Sequence, residues 1–393
     1  MIKINISLDY IDFYQEKVIP IVMKNYSNNK FSFEIASTNR LIRNIALSLK
    51  KKNIAQFVRD VLLTDLNYLK EKYLWIEPYN NLVFFINFFK SKKNRKALVD
   101  YIYSNNDKCD VSSFIYLIDY DVLSNDSFTN LKFLTDNARN GQSNSSFSKD
   151  NIVSLVEDFF YESESVLLTV NNIFEKLFSY NCLKTNLRRF LYHLLNIPVC
   201  PYCNQQYTYY ISDNRYLGDF DHLLPRSIFP LFSLSIWNLV PCCKPCNEVF
   251  KRKKILDILN PHDEGFDDDF GLHIYAHDVC SIVGKSCNFD IKFGCFFQKY
   301  SPSFTKRAYN NVNLFALNEL YSHHKEMIRI VLNKKYLLSD LSLFRKCFLK
   351  SNNESLLYKY LLDNRNMYGV SLDKKEFQNE LFSKIIYDII FHN

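Results

Sequence analysis

The chain has 393 residues, of which 47% are hydrophobic and 23% are charged. This balance excludes a disordered chain, and the length suffices for two or three domains. Only 7 residues are glycine, and they are too scattered to form G-x-G-x-x-G or G-x-x-x-x-G-K loops, which excludes the usual dinucleotide and ATP sites. The net charge of +7 permits a polyanionic partner without requiring one.

The pattern of apolar residues predicts four regions. Residues 1–147 carry apolar residues three and four positions apart, which predicts an N-terminal helical domain, and we expect it to regulate or target the protein. Residues 148–197 predict a helical connector, residues 198–260 a small separate module, and residues 261–393 a mixed and then helical region. The predicted fold class is therefore α+β: a mostly α-helical chain with a small inserted module.

The small module begins where the helical periodicity ends, at Asn196-Ile197-Pro198. Residues 205–222 are rich in tyrosine, threonine and isoleucine and alternate in polarity, which predicts a β-hairpin. The segment from Ile228 to Ile236 is apolar, and we expect it to pack within the module.

Two Cys-x-x-Cys pairs lie at the two ends of this module: Cys200, Cys203, Cys243 and Cys246. Each pair places two thiolates on one side of a turn, and two such turns complete a tetrahedron around Zn²⁺. We therefore predict one structural zinc ion per chain, with redox-active or unligated thiols as the alternatives. The metal would replace the hydrophobic core that so short a module cannot build. Cys242 is one position off the pattern, and we expect it to be a packed thiol.

Polar motifs lie between and after the cysteine pairs in a fixed order. Asp221 and His222 open an Asp-His-x-x-Pro-x-Ser motif, Asn238 opens an Asn-Leu-x-Pro motif, and Asn247 directly follows the last cysteine. A basic run, residues 251–254, comes next. An Asp-His pair alone is a weak signal, but chance agreement of all these motifs in this order is very rare.

At these residues the chain resembles the HNH endonuclease superfamily in its zinc-knuckle form, a treble-clef or ββα-metal module. The resemblance covers residues 198–254, and the motif strings are also similar to those of bacterial HNH proteins associated with anti-phage defence. It implies that His222 is the general base, since a neutral imidazole can take a proton from water attacking phosphorus. It also implies that Asp221 and Asn247 bind a catalytic Mg²⁺ or Mn²⁺ through oxygen atoms, and that Asn238 holds the loop that orients His222.

Basic side chains near these motifs are candidates for contacts with phosphate oxygens. We single out Arg226, Lys251 and Arg252. Basic residues outnumber acidic ones over residues 186–260, as expected of a surface that binds a polyanion.

These features together predict a metal-dependent HNH endonuclease that hydrolyses phosphodiester bonds, most simply of double-stranded DNA, in anti-phage defence. A controlling ATPase or another defence-system subunit would be a further partner. The alternatives are an RNA-cleaving HNH nuclease and a non-catalytic zinc module that binds nucleic acid or a protein. The first residues lack the apolar run of a signal peptide, and the apolar stretch at residues 82–89 is far shorter than the roughly 20 residues of a membrane span. We therefore expect a cytoplasmic protein with no membrane partner.

Overall fold

A computed structural model describes residues 1–29, 40–104, 149–212, 215–266, 270–296, 301–348, 365 and 368–392. The chain divides into two compact units. The first contains residues 1–11, 184–223 and 240–393, and the second contains residues 12–183 and 224–239. The predicted boundary between residues 147 and 148 falls outside the described residues. Among the helices described, none combines the length and the apolar character that a membrane span needs.

The second unit is built mainly from α-helices. In chain order these are α1 (Leu8–Asn28), which begins in the first unit, α2 (Arg40–Ser48), α3 (Ile54–Leu63), α4 (Leu66–Lys72), α5 (Ile76–Phe89), α6 (Lys92–Ser104) and α7 (Lys149–Leu177). Within the described residues, these helices confirm the prediction that this region is helical. Aromatic rings form much of the core: Trp75 stacks on Phe174 with centroids 5.9 Å apart, and Phe57 packs against Trp75.

The apolar loop that follows His222 in the chain belongs to the second unit and not to the module. Trp237 donates a hydrogen bond from its indole Nε1 to the Leu63 carbonyl at 2.8 Å, and Ser233 donates one to the Phe178 carbonyl. Residues 229–236 are all buried. The prediction that this loop packs within the module is therefore wrong: helices from residues 12–183 cover it, and this pairing of distant segments leaves no local sequence signal.

Among the described residues, the first unit mixes helices with three two-stranded sheets, β1–β2, β3–β4 and β5–β6. Its elements are α8 (Thr185–Leu195), β1 (Tyr210–Ser212), β2 (Arg215–Tyr216), β3 (Gly218–His222), β4 (Leu239–Cys243), a π-helix (Pro245–Lys251), β5 (Phe270–Ala276), α9 (Val279–Ile282), β6 (Phe289–Cys295), α10 (Pro302–Leu314), α11 (Leu317–Ser322), α12 (Lys325–Phe348) and α13 (Ser383–His392). The predicted hairpin is confirmed in β1 and β2, which pair antiparallel with Tyr210 opposite Tyr216. Strand β3 leaves this hairpin and pairs with β4.

One hydrophobic core joins the cysteine turns to β5, β6 and the later helices. Strands β5 and β6 are antiparallel in register from Phe270 opposite Cys295 to Ala276 opposite Phe289. A buried ion pair on α13, Lys384 with Asp388, lies against β5, where Asp388 accepts a hydrogen bond from the Leu272 amide at 3.1 Å. Burial raises the pKa of Asp388, and Lys384 opposes that shift.

Gly284 allows the end of α9 to approach α12 closely. It has a positive φ of 66°, and a Cβ atom added to it would collide with the backbone of Asn333 and Arg329. Gly369 also has a positive φ, of 78°, but no described atom lies within 4 Å of its added Cβ position. A substitution at Gly369 would therefore meet backbone strain alone, whereas one at Gly284 would meet both backbone strain and crowding.

We expect Gly284→Ala to lower the free energy of unfolding more than Gly369→Ala does. The left-handed backbone alone costs about 1 kcal/mol, and crowding at Gly284 adds about 1–3 kcal/mol. Urea unfolding of the two variants measures the difference. Equal losses in the two variants would contradict the close approach at Gly284.

Candidate zinc centre and active site

Four cysteine side chains converge in the first unit. The Sγ atoms of Cys200, Cys203, Cys243 and Cys246 all lie within 4.8 Å of one another, and all four residues are buried. The Sγ atoms of Cys203 and Cys243 are 3.8 Å apart, and all four thiols are free. A tetrahedral site with zinc–sulfur bonds of about 2.3 Å has sulfur–sulfur edges of about 3.8 Å. The donor atoms and their spacing therefore fit a zinc ion, and the cysteines predicted from the sequence form one cluster that could hold it.

Local hydrogen bonds shape the first cysteine turn. The Cys200 carbonyl accepts from the Asn204 amide at 2.8 Å, and the Cys200 amide donates to the Gln206 carbonyl at 2.9 Å. Asn204 takes a left-handed φ of 54°, a conformation that asparagine tolerates better than most residues. The Tyr321 hydroxyl on α11 donates to the Cys203 carbonyl at 2.7 Å. The turn is thus held both locally and by a distant helix.

The pKa values of the clustered thiols shift in different directions. Burial raises the pKa of the Cys200 thiol, but hydrogen bonds from the other three cysteines outweigh burial and lower that pKa well below its usual value. Hydrogen bonds with Cys200 raise the pKa of Cys203 and of Cys246 well above the usual value. Cys242 is fully buried but is not part of the cluster, so the prediction of a packed thiol there is confirmed.

Asp221 lies at the centre of a buried polar network and is 2% exposed. Its Oδ2 atom accepts a hydrogen bond from the Tyr202 hydroxyl at 2.8 Å, and its Oδ1 atom accepts one from the Lys251 ammonium at 3.0 Å. Lys251, 1% exposed, also donates to the main-chain carbonyl of His222 at 2.6 Å. Burial raises the pKa of Asp221, while the charge of Lys251 and the Tyr202 hydrogen bond oppose that shift.

The surroundings of Asp221 do not fit a ligand of a catalytic Mg²⁺ or Mn²⁺ ion. Both carboxylate oxygens are already bonded, and the positive charge beside them is the Lys251 ammonium. Adjacent residues of a strand point to opposite faces, so Asp221 faces the interior while His222, at the end of β3, is half-buried. The Asp221 carboxylate therefore faces away from solvent, and a hydrated cation would approach from the solvent side.

The π-helix that contains Cys246, the last of the four cysteines, explains the position of Lys251. The Arg252 amide bonds to the Asn247 carbonyl at 2.8 Å, five residues back. Within this wider helix Asn247 is half-buried and Lys251 points inward. The structure thus differs from the expectation that Lys251 contacts phosphate, because its ammonium faces protein oxygens. Arg252, Lys253 and Lys254 are exposed.

Asn238 and Arg226 belong to the second unit. The Asn238 side chain accepts from the Leu224 amide at 2.6 Å and donates to the Leu224 and Phe232 carbonyls at 3.0 and 2.9 Å. It therefore holds the loop that begins two residues after His222 in the chain. Arg226 is exposed, and its guanidinium carbon lies 4.9 Å from the centroid of the Tyr180 ring.

Sequence reasoning missed one member of the network, Tyr202. It stands between Cys200 and Cys203, where the spacing drew attention to the thiols alone. An aromatic residue inside a cysteine turn carries no local signal of a hydrogen bond to a strand 19 residues further along.

No family model, curated protein or solved structure matches this chain. The resemblance to HNH nucleases therefore rests on the motif residues of the sequence alone.

We expect the purified protein to contain about one zinc ion per chain, and Cys246→Ser to lose it. Metal-binding energy is also folding energy, so this variant should unfold the cysteine turns as well. Cys280→Ser, which alters an exposed thiol, is the matched control and should keep the zinc. Metal analysis by plasma mass spectrometry measures all three proteins, and an unchanged zinc content in Cys246→Ser would contradict the assignment.

Proposed function

We propose that this protein is a zinc-containing nuclease of the HNH, or ββα-metal, type that hydrolyses phosphodiester bonds of nucleic acid, with double-stranded DNA as its first candidate substrate. One observation carries the proposal. Two paired strands and the helix after them place the main-chain carbonyl of His222, at the end of β3, on the ammonium of Lys251, and the same helix carries Cys246 of the buried four-cysteine cluster. The cysteines would supply stability through zinc, and His222 would supply the chemistry.

His222 is the proposed general base. The residue is half-buried at a strand end, so part of it is exposed to solvent. A ring nitrogen takes a proton from a water molecule, and the water oxygen bonds to phosphorus. The bond from phosphorus to the leaving oxygen then breaks, and that oxygen takes a proton from solvent. General bases contribute about 10²- to 10⁴-fold to such rates.

The exposed cations after the π-helix are the proposed phosphate contacts. Arg252, Lys253 and Lys254 follow the helix whose inner face holds Asp221 through Lys251. Phosphate contacts of this kind position a nucleic acid without reading its sequence. In HNH nucleases a Mg²⁺ or Mn²⁺ ion stabilises charge on the scissile phosphate. Asp221 is engaged by Tyr202 and Lys251, so it is not the residue that would hold such an ion.

A role in anti-phage defence, with a controlling ATPase or another subunit as partner, is proposed from the resemblance alone. The helices of the second unit are the part of the chain available for regulation or targeting.

A second candidate function is a non-catalytic zinc module that binds nucleic acid. The engaged carboxylate of Asp221 favours it, because a binding module needs no free acid beside the histidine. Cleavage assays separate the two candidates, and a panel of plasmid, linear duplex, single-stranded DNA and RNA separates DNA from RNA as substrate.

We expect His222→Ala to remain folded, to keep its zinc and to bind nucleic acid, but to lose cleavage by about 10²-fold or more. The matched control is His277→Ala, which removes an exposed histidine paired with Asp290 at the surface. Rates are measured on the substrate panel with Mg²⁺, with Mn²⁺ and with a chelator. Equal cleavage by His222→Ala and the parent would reject His222 as the base, and binding without cleavage by the parent would favour the second candidate.

Replacing Arg252, Lys253 and Lys254 together by glutamine should flatten the dependence of log affinity on log salt by roughly two units. Each neutralised phosphate contributes about 0.9 to that slope on duplex DNA, and we expect two of the three side chains to reach phosphates. Replacing Lys50, Lys51 and Lys52, three exposed lysines in a row, removes the same charge elsewhere and should leave the slope unchanged. Identical slopes in both triple variants would place the phosphate contacts on another surface.

A further inference from the structure

The network of Tyr202, Asp221 and Lys251 reaches the backbone of the proposed base. We propose that Lys251 is a positioning residue for His222, and that Asp221 acts by holding Lys251 and not by binding a cation. This inference rests on the proposed function in one respect, the role of His222 as general base.

The contact that carries the inference is the hydrogen bond from the Lys251 ammonium to the His222 carbonyl, 2.6 Å long. His222 is the last residue of β3, so the ladder that orders the strand ends there. A separate donor to this carbonyl fixes the backbone from which the imidazole projects. A base must lie within about an ångström of its working position, and Lys251 supplies that constraint without touching a substrate.

Asp221 is what permits an ammonium group at this position. Lys251 and Asp221 have side chains 1% and 3% exposed, and a charge so deeply buried without a partner is strongly destabilising. The carboxylate compensates that charge at 3.0 Å. The Tyr202 hydroxyl occupies the other carboxylate oxygen, which fixes the orientation of the carboxylate toward Lys251.

Both ends of the network are attached to the cysteine cluster. Tyr202 lies inside the first cysteine turn, and its ring stacks on Phe315 with centroids 4.4 Å apart. Lys251 ends the π-helix that contains Cys246. When the cysteine turns are ordered, they therefore fix Lys251, which donates to His222, and Tyr202, which holds the Asp221 carboxylate. This connects zinc binding to the position of the base.

The test is a cycle of Asp221→Asn, Lys251→Met and the double variant, with Lys285→Met as a control for loss of an exposed lysine. We expect Lys251→Met to lower kcat by about 10- to 100-fold with little change in KM, because an interaction that acts through the base affects the chemical step. Once Lys251 is gone, Asp221→Asn should cost nothing more, so the double variant should cleave at least as fast as Lys251→Met. A cation ligand gives the opposite result: the double variant is slower by the full additional factor of Asp221→Asn, which would overturn the inference.

Hydrogen exchange provides a readout that needs no activity. In Lys251→Met, and in Tyr202→Phe, which removes one hydroxyl and keeps the ring, a peptide spanning residues 218–224 should exchange faster than in the parent, with zinc content unchanged. Lys285→Met should leave that exchange unaltered. Unchanged exchange in both network variants would show that Lys251 does not hold His222. A parent protein that cleaves no substrate would reject the proposed function, while the exchange result still decides the positioning.

Discussion

The constraint on which the centre of this protein depends is the buried ammonium of Lys251. A lysine with 1% of its surface exposed is tolerated only where acceptors and a counter-charge replace water. Here the counter-charge is Asp221, the acceptor is the His222 carbonyl, and the Tyr202 hydroxyl orients the carboxylate. The single charge of Lys251 thereby connects the first cysteine turn, through Tyr202, to β3 and to the π-helix.

The cysteine cluster supports the same region by a different kind of interaction. The thiols are buried together with Tyr202, Phe315 and Tyr321 in the core of the first unit, so the metal site is continuous with hydrophobic packing. Burial raises the pKa of the Cys200 thiol and hydrogen bonds from the other thiols lower it, and the net shift is downward. The four sulfur atoms lie within 4.8 Å of one another, and those of Cys203 and Cys243 are 3.8 Å apart, so a zinc ion would need no large movement of the turns.

The sequence could predict those parts of the fold that depend on local spacing. The cysteine cluster follows from two Cys-x-x-Cys turns, the helices up to residue 104 follow from their apolar period, and the β1–β2 hairpin follows from alternation. The partner of Asp221 could not be predicted, because it depends on a π-helix that turns Lys251 inward. Nor could the place of residues 224–239, because Ser233 and Trp237 donate hydrogen bonds to carbonyls 55 and 174 residues away in the chain.

The basic run shows how a uniform sequence acquires two different surroundings. Residues 251–254 are all cations, and charge patterning treats them as equivalent. The backbone places them differently, because the π-helix ends at Lys251 and the next residue, Arg252, has a φ of 51°. A positive φ is unfavourable for a residue with a side chain, and two hydrogen bonds accompany it here: the Arg252 amide donates to the Asn247 carbonyl, and Arg252 Nε donates to the Glu248 carbonyl. The chain therefore reverses directly after Lys251, leaving that lysine inside with Asp221 and the next three cations in water. The backbone conformation at Arg252 thus divides the run into Lys251, which is proposed to position His222, and three exposed cations, which are proposed to bind phosphate.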